Sequence, residues 1–146
     1  MYLALRLVHI LAAATWFAGT LTLASDVRRS LELGGTAARG MVDRVQRALL
    51  LSSAAGLGTL ASGLGLIFFL GGFAHLPVRI HVGFGLSLVA LAFEVSALSG
   101  AFRDVADAVT REKPDEARVA ARRVAAFTGV LHLVRTVVLV LMVLRF

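Results

Sequence analysis

The sequence predicts an all-α integral membrane protein, one four-helix bundle over residues 1–146. Three observations carry this. Hydrophobic residues make up 58% of the chain and charged ones 16%, whereas soluble domains carry about a quarter charged. The charge is also segregated. Apart from Arg6, Arg79, Glu94, Arg135 and Arg145, every charged side chain falls within Asp26–Arg47 or Arg103–Arg123. The apolar stretches outside these windows are long enough to cross a bilayer, which takes about 20 residues.

The spans follow in order. The first covers about 2–25. Arg6 ahead of an apolar run and the small residues of "TLAS" resemble a signal peptide, but the segment is read here as a retained first span. The second, about 47–73, carries Gly56, Gly58, Gly63 and Gly65 with Thr59 and Ser62 between them. Small residues at this spacing let backbones approach closely, which holds helices together in lipid. Packing within the bundle is the plainer use of these glycines, and a homo-oligomer contact the alternative. "GGFAHLP" then ends the helix, because two glycines and a proline do not propagate it. The third span is about 78–101 and the fourth about 123–145, the latter led in by a turn at Pro114 and an amphipathic segment. The two charged windows are expected to be the longer loops, with helical extensions.

Five basic residues in the first window and six in the second face Arg6, Arg79 and Arg145 on the opposite side. The excess of basic residues predicts cytoplasmic loops and external termini. In a Gram-negative host this is an inner-membrane protein with its outer face periplasmic. The net charge of +6 marks topology and not nucleic acid, for which there is no motif. With no cysteine, disulfides, thiolate metal sites and iron–sulfur clusters are excluded.

An ionisable group inside a span costs several kcal/mol unless it is paired or used, so each is a candidate. With about 1.5 Å of rise per residue, His9 lies about 10–12 Å below the outer surface and His81 roughly 5 Å below it, while His132 falls near the midplane. His75 belongs to the outer loop. Arg6, His9, Ala13 and Trp16 share one face of the first span, with small Ala12 and Ala13 beside the imidazole. Gly83 and Gly85 lie beside His81. Thr128, His132, Arg135 and Thr136 form a polar stripe on the fourth span. Such a provision suits a haem: axial imidazole, small-residue walls, and Arg6, Arg79 or Arg135 as cations for the propionates. The bland readings are an interhelical hydrogen bond for each histidine, packing for Trp16, and snorkelling for Arg79 and Arg145. Glu94 is the one acid within a span, at a depth that pairs it with His132 or Arg135.

"HILAAATWFAG", His9 to Gly19, resembles the first helix of the HemJ-type protoporphyrinogen oxidases and the related CopD-like membrane proteins. The helix count and "RIHVGFGL" are also similar to that superfamily. The resemblance implies b-type haem with His9 as an axial ligand and Trp16 in its surroundings. It also implies an oxidoreductase acting on a porphyrin, or one that exchanges electrons with a quinone-type partner. The family's Leu-Pro-Arg segment reads "TLASDVRRS" here, and Gly83 stands about where a basic residue belongs, so the haem expectation runs ahead of the oxidase one. For the second axial ligand His81 is preferred, with His132 the rival. The CopD-like alternative is copper held by His9, His75 and His81, although Met1, Met41 and Met142 form no cluster near them. A small cytochrome b, or a subunit without catalysis of its own, is the third reading.

Overall fold

The computed structural model describes residues 1–143, so the end of the fourth predicted span and Arg145 lie outside the described residues. Those residues are helical almost throughout and contain no strand. The helices are α1 (Tyr2–Ala18), α2 (Leu23–Leu33), α3 (Gly35–Phe69), α4 (Val78–Phe93), α5 (Ser99–Thr110) and α6 (Pro114–Val143). A single π-helical turn, Glu94–Leu98, joins α4 to α5, and a 3₁₀ turn, Phe73–His75, sits between α3 and α4. Four rods result, 2–33, 35–69, 78–110 and 114–143, each long and apolar enough to cross a membrane. The chain is an all-α, multi-pass membrane bundle.

The charged windows are not loops. They continue the spans as helical arms, because their apolar residues recur at helical spacing beneath the charge. Leu23 and Val27 on α2, Met41, Val45 and Leu49 on α3, Phe102 and Val105 on α5, and Ala117, Ala120 and Val124 on α6 are all buried. Burying a side chain of valine or methionine size stabilises the fold by about 1.5–3 kcal/mol. The arms are therefore held by a core continuous with that of the spans, which runs on through Leu98, Leu91 and Trp16. The connections between them shrink to tight turns. Gly34 and Gly35 adopt φ of +66° and +50°, open to glycine at little cost, and close α2 onto α3. At the other turn Glu112 takes φ 56° and costs about 1 kcal/mol. Its carboxylate accepts a hydrogen bond from Arg39 at 2.9 Å, which links the two turns.

The first predicted span, 2–25, is broken after Ala18 and resumes at Leu23. At the break Gly19 lies against α3, where an added Cβ would come within 3.0 Å of Ser52 Cβ. The turn after α3 forms as expected, with Gly71 and Gly72 at φ +92° and +86°.

Helix α1 runs antiparallel along α3, and α4 antiparallel along α6. The glycine face of α3 is covered by α1: Leu5 over Gly65, His9 over Gly63, Ala12 over Gly58 and the Trp16 indole over Gly56. These glycines thus serve packing inside one chain. The rest of α1 is turned outward, with Leu3, Leu7, Val8, Ile10 and Leu11 exposed as lipid-facing residues are.

Candidate functional site

Two polar clusters lie within the spans. The central one is built on the π-helical turn, a local widening found frequently at functional sites. Glu94 opens that turn, and Glu94 and Leu98 both point inward, each at 0% exposure. Ser99 Oγ donates to Glu94 O across the turn at 2.9 Å. The Glu94 carboxylate receives two donors on Oε2, Trp16 Nε1 at 2.7 Å from α1 and Arg135 Nη2 at 2.5 Å from α6. The Arg135 guanidinium also lies over the Trp16 ring, 4.7 Å from its centroid, a cation–π contact. Its Nη1 donates to Thr20 Oγ1 at 2.8 Å, and its Nη2 reaches Ser52 Oγ at 3.5 Å. Four rods thus converge on one buried ion pair. Removed from water, such a pair holds only with further hydrogen bonds on both partners.

The expected pairing of Glu94 is therefore with Arg135 and not with His132. His132 Nε2 lies 3.5 Å from Thr20 Oγ1, and its ring stands edge-on to Phe17 at 5.9 Å. Three buried atoms around this cluster have no hydrogen-bond partner among the described residues: Glu94 Oε1, Arg135 Nε and His132 Nδ1. Trp16 is a hydrogen-bond donor to the carboxylate, a role the sequence reading missed. A buried indole N–H needs an acceptor, and Glu94 is the one acid within a span, so the signal was present. Nothing local in the sequence marks Thr20 and Ser52 as members.

The second cluster surrounds His9, half-buried where α1 crosses α3. Its Nδ1 lies 3.1 Å from Thr59 O and 3.1 Å from Ser62 Oγ. A backbone carbonyl can only accept, and the Ser62 hydroxyl donates to Gly58 O at 2.5 Å. Both partners of Nδ1 are acceptors, so Nδ1 carries the proton and the lone pair is left on Nε2. No hydrogen bond among the described residues engages Nε2. The ring is seated on Gly63, where an added Cβ would come within 3.1 Å of Cε1.

The other candidates are more dispersed. Arg6 is exposed, one turn outward of His9. His81 is exposed near the start of α4, with Nδ1 3.3 Å from Pro77 O and its ring tilted against Phe73 at 5.6 Å. No hydrogen bond or ring contact joins it to His9 among the described residues. Arg79, the second residue of α4, is partly buried. Arg135 stands in the central cluster and not beside His9. His75 is exposed in the turn between α3 and α4. Met142 Cε lies over Gly83, and Met41 is buried in the arms. No group of three or more His, Cys, Asp or Glu side chains able to hold a metal ion occurs among the described residues. The copper alternative lacks the clustered donors it calls for.

The arrangement fits a haem in one respect. A neutral imidazole whose Nδ1–H is held by a carbonyl, with Nε2 open, is the tautomer and orientation an axial ligand needs. Among the described residues no hydrogen bond or ring contact brings a second imidazole to His9. No family model, curated protein or solved structure matches the chain.

Proposed function

We propose that this is a b-type haem-binding membrane protein with a redox role, its iron held through His9 Nε2. The observation that carries the reading is the pair of acceptors on His9 Nδ1, Thr59 O and Ser62 Oγ. Bound there, haem supplies one-electron chemistry. The chain's residues do the rest. Thr59 and Ser62 fix the imidazole's tautomer and orientation, Gly63 makes room for the ring, and Arg6, one turn along α1, would neutralise a propionate. His81, exposed near the start of α4, would be the further imidazole available to the group. A porphyrin substrate would make the protein a HemJ-like oxidase, and a quinone-type partner would make it an electron carrier.

In this reading the protein lies in the inner membrane with both termini external and the charged arms cytoplasmic, supported by the excess of basic residues in the arms. The test is the absorption spectrum of the protein purified in detergent. Wild type is expected to show a Soret band that His9→Ala abolishes or strongly shifts while the variant remains inserted. His132→Ala is expected to leave the band in place. A band untouched by His9→Ala would overturn the proposal. With haem established, oxidation of protoporphyrinogen separates enzyme from carrier.

A further inference from the structure

At the charged end of the bundle, α2 and α6 enclose a groove of about 490 Å³. Arg28, Arg118 and Arg122 line it, together with the small side chains of Ala24, Ala121 and Ala125. We propose that this groove binds one anionic phospholipid, its phosphate between the arginines of the two helices and an acyl chain along the alanines.

Charge and depth both support the assignment. Three arginines line the groove against one carboxylate, Glu32. Arg28 Nε is 3.9 Å from Glu32 Oε1, with both side chains largely exposed. Arg118 pairs with Asp115 at 3.2 Å, likewise in the open. Arg122 makes no ion pair or hydrogen bond among the described residues. Exposed pairs of this kind are weak and yield readily to a phosphate, which guanidinium groups bind in a bidentate fork.

Depth is fixed by where the apolar runs begin. Arg28 is three residues beyond Ser25, the last residue of the apolar run, which places it about 5 Å outside the hydrocarbon. Arg122 and Arg123 are the last charges on α6 before Arg135, and Arg118 stands roughly 6 Å further out. The headgroup layer is about 5–7 Å thick on each side of the hydrocarbon core. Arg28 and Arg122 therefore sit within the headgroup layer, and Arg118, about 9 Å out, reaches into it from its outer edge.

The small residues continue into the membrane. Ala121, Ala125 and Gly129 follow at intervals of four on one face of α6. Ala125 and Gly129 are exposed, and no atom lies within 4 Å of a Cβ built on Gly129. A shallow track of small residues thus leads from the arginines toward the hydrocarbon, as a two-part ligand with an anionic head and an apolar tail requires. Basic pockets between transmembrane helices are the usual receptors for such headgroups.

The test is lipid binding by native mass spectrometry of the whole protein, with phosphatidylglycerol against phosphatidylcholine. Wild type is expected to retain phosphatidylglycerol preferentially. Each arginine at a membrane surface adds roughly fivefold, so the triple variant Arg28→Gln, Arg118→Gln, Arg122→Gln should lose on the order of 100-fold. The charge-matched variant Arg29→Gln, Arg47→Gln, Arg103→Gln should keep the preference. Gly129→Leu should weaken retention by blocking the track without changing charge. All substituted residues are exposed, and an unchanged helical circular dichroism spectrum shows that each variant is folded. Equal loss in both triple variants would assign the effect to diffuse rim charge and overturn the proposal. So would a wild type with no preference, or inorganic phosphate at millimolar concentration displacing the lipid as effectively as phosphatidylglycerol does.

Discussion

Replacing Glu94 by alanine is expected to be among the most damaging single changes in the bundle. Arg135 has 3% exposure and Glu94 none, so the substitution strands a buried cation where water cannot reach it. Breaking a buried pair from one side costs about 3–5 kcal/mol. The Trp16 indole N–H loses its acceptor as well, a further cost of about 1–3 kcal/mol unless it finds another. Arg135→Met is expected to cost about 3–5 kcal/mol for the converse reason. The double variant Glu94→Leu, Arg135→Met removes both charges and fills the space with apolar groups, and such replacements are often neutral or stabilising. It should therefore be more stable than either single variant, although Trp16 remains unsatisfied. The assay is reversible unfolding in detergent followed by the fluorescence of Trp16, the one tryptophan of the chain. Losses that simply add in the double variant would refute the coupling. A harmless Glu94→Ala would refute the burial argument itself.

Gly56→Val should destabilise by about 1–3 kcal/mol through overpacking, because an added Cβ would come within 2.8 Å of Leu91 Cδ1 and 2.9 Å of the Trp16 indole. Gly85→Ala, with nothing within 4 Å, is the tolerated control in the same melting experiment. Reporter fusions after Leu33 and after Lys113 should score cytoplasmic, and one after Phe146 external. An external signal from either turn would reverse the orientation and place His9 on the other side.

Much of the architecture is legible in the sequence because lipid imposes a simple rule on it. Apolar runs of membrane length have one use, and the glycines of the second span pack against a neighbouring helix. The helical arms were less legible. In α2 the buried face is carried by Leu23, Val27 and Ser30 between arginines, and mean hydropathy registers the arginines first. The helical period was present, but segregated charge outweighed it. The π-helical turn has no sequence signature. Without it the partner of Glu94 is a matter of depth alone, and depth could not separate His132 from Arg135. Trp16 meets Glu94 across 78 positions of sequence, a contact only the packing of α1 on α3 and α4 creates. The His9 tautomer was equally hidden, because it depends on a Ser62 hydroxyl committed to its own helix.

Imidazole rescue tests the central claim most directly. His9→Gly removes the ligand and leaves space beside Thr59, Ser62 and Gly63 for a free imidazole of the same shape. The absorption spectrum of this variant with added haem is measured before and after millimolar imidazole. If His9 Nε2 holds the iron, the Soret band should be weak or shifted at first and return to the wild-type position with imidazole, while His132→Gly shows neither effect. A wild-type spectrum in His9→Gly before any imidazole is added would contradict the account.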